Sequence, residues 1–222
     1  MTEFRSIGFY ICPVIATPKV LEINSSEMLS VSPCFNGIEP LLEVDDYYKG
    51  WFEGENWRKN EKESHKKLLQ LDDGEYREFL TLVHRLCENR VLDVDGRFTR
   101  LSDAESVYRR YFEKLGYKLV SVSTADKYYE IFSEEHSYPK EGFELCGDPD
   151  NSKLLGYDIL GWDFDSFHTF LCNGLNQELP QARFNELCLL ENDFSEIEKF
   201  AENIADQGEL VYWLPFRIGE IV

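Results

Sequence analysis

Positive charge is what this chain lacks. Its 23 Lys and Arg stand against 42 Asp and Glu, for a formal net charge of −19. A field of that sign repels phosphate backbones and anionic headgroups, and no basic stripe is visible along the sequence. Nucleic acid and membrane are therefore not expected as partners, whereas a basic protein would be attracted. Long apolar runs are also missing. Residues 7–16, IGFYICPVIA, form too short a run to span a bilayer. Glu3 cancels Arg5 ahead of that run and Pro13 interrupts it, which argues against a secretory signal and for a buried strand. The expected location is the cytoplasm. The six cysteines (Cys12, Cys34, Cys87, Cys146, Cys172 and Cys188) are widely spaced, with no CxxC pair. Most have apolar neighbours, so reduced thiols filling core space are expected rather than a disulfide framework.

Known chemical signatures are absent as well. There is no P-loop, GxGxxG, GxSxG, HExxH or kinase motif, so neither a cofactor nor a metal is expected. Asp93, Asp95 and Gly96 match three positions of a calcium loop. The match fails at Val91 and Ser102, where the first ligand and the closing carboxylate would have to be.

Large apolar side chains are abundant. Sixteen Phe, twelve Tyr and four Trp within a 43% hydrophobic composition can fill a core, which argues for an ordered domain. The patterning predicts an α+β fold, with a mixed or antiparallel sheet packed against several helices. One compact domain over residues 1–222 is expected, and the Pro- and Gly-bearing loop 137–153 is the candidate point of subdivision. In EYREFLTLVHRLCENR, the residues Tyr76, Phe79, Leu80, Val83, Leu86 and Cys87 recur at helical spacing, with His84 at the border of the stripe. RVLDVDGRFTRL reads as a hairpin turning at Asp95-Gly96. Ser102 with Glu105 reads as a capping box, Thr124 as a second cap, and Asp193 with Glu196 as a third. YKLVSVS, LLGYDILGWDF and ELVYWLPF read as strands. The last is apolar on both faces, with Pro215 expected at its end or on an edge. His65 and His136 lie in charged stretches and are expected to be exposed.

GWDFDSFHTFLCNG, residues 161–174, is the densest concentration of reactive residue types. Its first part continues a strand. A short helix capped by Asp165 or Ser166 is expected to follow, with His168 and Cys172 one turn apart. A thiol with a neighbouring base is what cysteine catalysis needs. Cys172, His168 and Asp163 are therefore the candidate catalytic set of a thiol-dependent hydrolase or transferase. The plainer reading is a structural helix at the edge of the core, and that reading is adopted.

The remaining candidate site is DDYYKGWFEGENW. Tyr47, Tyr48, Trp51, Phe52 and Trp57 cluster without periodicity among Asp45, Asp46, Glu53 and Glu55. Aromatic anchors ringed by charge suit a partner-binding surface. The C-terminal pattern, GYDILGWDFDSFHTFLCNGLNQEL followed by an acidic helix and VYWLPFRI, resembles small bacterial proteins of the toxin-immunity type. The resemblance implies an acidic, non-enzymatic inhibitor of a protein partner.

Overall fold

The computed structural model describes residues 3–32, 35, 63–93, 96–135, 145–162, 167–172, 174–207 and 212–222. The fold is α+β. Seven strands are described: β1 (Phe4–Cys12), β2 (Val14–Ala16), β3 (Glu27–Leu29), β4 (Lys118–Ala125), β5 (Lys153–Trp162), β6 (Phe167–Thr169) and β7 (Tyr212–Glu220). Five form one antiparallel sheet in the order β1-β4-β7-β5-β6, and β2 pairs with β3 separately. The main sheet draws strands from both sides of residues 137–153. The helices are α1 (63–68), α2 (Asp73–Glu88), α3 (Leu101–Val107), α4 (Asp126–Glu135) and α5 (Phe194–Asn203).

Both faces of the sheet are covered, because its strands alternate apolar side chains to either side. On β4, Leu119 joins Phe9 and Ile11 of β1 under α2, where Tyr76, Phe79, Val83 and Leu86 form the buried stripe expected from their spacing. Val120 and Val122 point the other way, into a cluster with Tyr10, Leu160, Phe167, Phe216 and Ile218. A third cluster packs Ile197, Phe200 and Ala201 of α5 against Ile159 and Trp213. Trp213 is buried, as the apolar pattern of its strand predicts.

Several local expectations give way to tertiary contacts. α3 begins at Leu101 with Arg100 as its N-cap, and no side chain caps it, so Ser102 is not the cap. Thr124 stays in β4, where its hydroxyl donates to the Pro215 carbonyl (2.9 Å) instead of capping α4. Asp193 does occupy the N-cap position of α5 but makes no side-chain cap bond, and Glu196 accepts instead from Asn192 (3.2 Å). Pro215 lies within the central strand rather than at an edge. The backbone tolerates it because the Ile159 carbonyl accepts from Phe170 on the far side of β5, leaving the Ile159–Pro215 pair without ladder bonds. The β4–β7 pairing ends at Ser123–Arg217, so the missing N–H of Pro215 breaks no bond there either. His65 is not exposed. Its ring packs against Tyr76 and Phe79, and burial lowers its pKa to about 4.

The 90–101 segment pairs as a short hairpin stem, with Leu92 bridged to Phe98 and the Gly96 N–H donating to the Asp93 carbonyl; Val94 and Asp95, at the expected turn, lie outside the described residues. Its stem encloses an ion pair. Arg97 is fully buried, and its Nε donates to Asp93 Oδ2 (2.7 Å) while its backbone N–H donates to Asp93 Oδ1 (2.9 Å). Arg97 Nη1 donates to the Ile7 carbonyl (3.0 Å), locking the hairpin onto β1. Gly8 makes the room for this. A Cβ at position 8 would lie 2.5 Å from Arg97 Cγ and 2.9 Å from the Phe98 carbonyl oxygen. Gly8→Ala should therefore lower stability by about 1–3 kcal/mol, the usual cost of overpacking. A urea titration checks it, and an unmoved midpoint would mean that Arg97 can shift.

Candidate functional site

The stretch 161–174 does not contain the expected helix. Phe167–Thr169 is strand β6, paired with β5 through Leu160–Thr169, Gly161–His168 and Trp162–Phe167. Residues 170–172 form a turn. A short helix here would gain few internal bonds. The observed hairpin gains the ladder, the Phe170 N–H to Ile159 carbonyl bond (3.0 Å), and a buried bond from Thr169 Oγ1 to Asp158 Oδ1 (2.7 Å). His168 thus sits on a strand and Cys172 on the turn after it, so the one-turn spacing that suggested their pairing does not apply. Cys172 Sγ lies 3.4 Å from Ser32 Oγ, and that hydroxyl also donates to the Phe167 carbonyl (3.2 Å). Asp163 and Asp165 lie outside the described residues, as do Asp45, Asp46, Tyr47, Tyr48, Trp51, Phe52, Glu53, Glu55 and Trp57.

Two buried carboxylates, one beside this hairpin and one at the opposite end of β5, were not legible in the sequence. Asp158 is 4% exposed and its register position is opposite Phe216. Its Oδ1 accepts from Thr169 and from the Ile159 N–H (2.8 Å). Burial pushes its pKa up to about 7, against these hydrogen bonds, which favour the charged form. The second group is Asp150. It forms an ion pair with Arg217 and accepts from the Ser123 hydroxyl and the Ser152 N–H. Burial works to raise the Asp150 pKa, but the hydrogen bonds from Ser123 and Ser152 and the Arg217 guanidinium outweigh it and leave the pKa lowered. Asp150 forms part of the wall of a cleft of about 690 Å3, together with Ser6, Ser121, Asp148 and Glu220.

The five described cysteines form no disulfide, and burial raises the pKa of the Cys12 thiol. Among the described residues no group of three or more His, Cys, Asp or Glu could hold a metal ion, and no helix is long and apolar enough to cross a membrane.

The segment that contains α5 is acidic. Residues 175–207 carry eight acidic side chains against two basic ones, Arg183 and Lys199. The inner face of α5 is held by Ile197, Phe200 and Ala201, so its charges face solvent. Glu198 pairs with Lys127 (2.9 Å) and Glu196 with Arg183 (3.9 Å). Glu178, Glu186, Glu191, Asp193, Glu202 and Asp206 are exposed, and none of them pairs with a cation among the described residues. Chemically this surface can attract and orient a cationic partner. The run of acids was visible in the sequence as charge, but its uncompensated state required the fold.

No family model matches the chain, and no curated protein or solved structure matches it significantly.

Proposed function

We propose that this is a non-enzymatic acidic binding protein that captures a basic protein partner. The observation that carries this reading is the outer surface of α5 and its flanking loops. In residues 175–207, six exposed carboxylates pair with no cation among the described residues, in a chain already at −19. Such a surface accelerates encounter with a positively charged protein and makes its rate sensitive to salt. The resemblance of residues 156–218 to toxin-immunity proteins supports a toxin as that partner, with the chain acting as its inhibitor. The reading places the complex in the cytoplasm.

Affinity capture followed by identification of the bound protein tests the first half: the partner should be basic. Stopped-flow association tests the second. The triple variant Glu191→Lys/Glu202→Lys/Asp206→Lys should slow association about tenfold at low ionic strength, and added salt should erase most of that difference. A captured partner that is acidic, or an association rate indifferent to both salt and charge reversal, would remove the reading.

A further inference from the structure

We propose a second binding surface of the opposite sign: a groove along α2 that takes an acidic segment of a protein ligand, seating two of its carboxylates on Arg77 and Arg85. The groove has a volume of about 480 Å3, and Arg77, Thr81, Arg85 and Arg110 line it. The sequence shows no basic stripe because these residues come from two separate segments. The fold brings three arginines to one concavity in a chain where acids outnumber bases by 42 to 23.

The charges already present leave the groove positive. Glu78 also lines it, but Glu78 is engaged by Arg110 Nη2 (2.5 Å). Asp73, at the start of α2, is engaged by Lys66 (2.6 Å). Arg77 Nε donates to the Asp73 carbonyl (3.1 Å), which steadies the guanidinium along the helix and leaves its terminal nitrogens for a ligand. The Arg85 side chain makes no hydrogen bond or ion pair among the described residues.

Spacing selects the ligand. Arg77 and Arg85 are eight residues apart on one helix, about 12 Å along its axis. That is farther than one carboxylate or phosphate can bridge. An extended peptide advances about 3.3 Å per residue and returns to the same face every second residue, so acidic residues four apart span about 13 Å. A nucleic acid carries many more charges into a field of −19 and is repelled far more strongly than a segment with two carboxylates. This surface is independent of the acidic one on α5, and either can fail without the other.

The test uses the full chain and two labelled pentapeptides, Glu-Ser-Gly-Ser-Glu and its Gln-Ser-Gly-Ser-Gln counterpart, followed by fluorescence anisotropy at low ionic strength. The Glu peptide should bind saturably and the Gln peptide should not. The double variant Arg77→Gln/Arg85→Gln should weaken binding about tenfold or more. Arg109→Gln, whose guanidinium faces Glu105 (3.8 Å) outside the groove, should leave binding unchanged, as should the α5 charge reversals. Arg77 and Arg85 are exposed, so the melting temperature should not move and lost binding cannot be lost folding. The proposal is overturned by any of four results: no saturation, equal binding of both peptides, equal binding by the double variant, or displacement by inorganic phosphate at matching concentration. Tighter binding of a single-stranded oligonucleotide than of the Glu peptide would overturn it too.

Discussion

Arg97→Ala should destabilise the protein by about 3–5 kcal/mol, enough to consume much of an ordinary domain's stability. The substitution removes the guanidinium that neutralises Asp93, a carboxylate 4% exposed, and leaves that charge buried beside the space Arg97 had filled. It also removes the side-chain donor to the Ile7 carbonyl, so the link between β1 and the 92–98 hairpin is left to the two backbone bonds between Phe9 and Phe98. Calorimetry or urea unfolding measures the loss. The companion variant Asp93→Asn/Arg97→Met separates two causes. If uncompensated charge is the main cost, the double variant should recover a substantial part of the loss, because replacing both partners of a buried pair costs less than orphaning one. A single variant that melts with the wild type would show that the hairpin is held by Leu92, Phe98 and their neighbours alone.

Stability should depend on pH through Asp158. Its folded pKa of about 7 lies above the ordinary value of 3.8. Between those values the folded protein holds a proton that the unfolded chain has released, so stability falls as pH rises through this window and then levels off. About three pKa units correspond to about 4 kcal/mol. His65 acts in the opposite sense. Its folded value of about 4 lies below the ordinary 6.5, so the unfolded chain binds the extra proton and stability rises with pH over that range. The two slopes largely offset each other in the wild-type protein between about pH 4 and 6.5. Asp158→Asn removes one of them while keeping an oxygen to accept from Thr169. Its stability should therefore rise with pH where the wild-type curve is nearly flat, and above pH 7 it should exceed the wild type. Parallel curves for the two proteins across pH 4–8 would mean that Asp158 ionises without penalty.

The parts of the fold that were legible share one property: a single periodic face long enough to decide the matter. The stripe from Tyr76 to Cys87 gave α2, and the apolar runs around Val120, Ile159 and Phe216 gave β4, β5 and β7. Misreadings occurred where a short segment satisfied two patterns. Phe167, Phe170 and Leu171 fit a helical stripe as well as a hairpin, and only the pairing of β6 with β5 and the Asp158–Thr169 bond decide between them. Thr124 and Ser102 have the chemistry of caps, but the Thr124 hydroxyl serves the Pro215 carbonyl across the sheet, and α3 starts one residue before Ser102. His65 looked solvated because its sequence neighbours are charged, yet its ring meets Tyr76 and Phe79 from a different helix. For the candidate sites, the acidic side was readable by counting charges. The basic groove was not, because Arg77 and Arg110 become neighbours only after α2 packs on the segment that follows α3. Asp158 carried no signal beyond a lone acid in an apolar run.

The position of β7 in the sheet has a consequence for synthesis. β7 lies between β4 and β5, yet it emerges from the ribosome after every other described strand. Until residues 212–220 emerge, the inner edge of β4 and the inner edge of β5 have no partner, and the β1–β4 and β5–β6 halves cannot join. Chain elongation adds roughly 5–20 residues per second, so both apolar edges stay open for seconds on every nascent chain. Closure of the sheet waits in this sense for β7, and the open interval is when the protein is most vulnerable to edge-to-edge association and most dependent on chaperones.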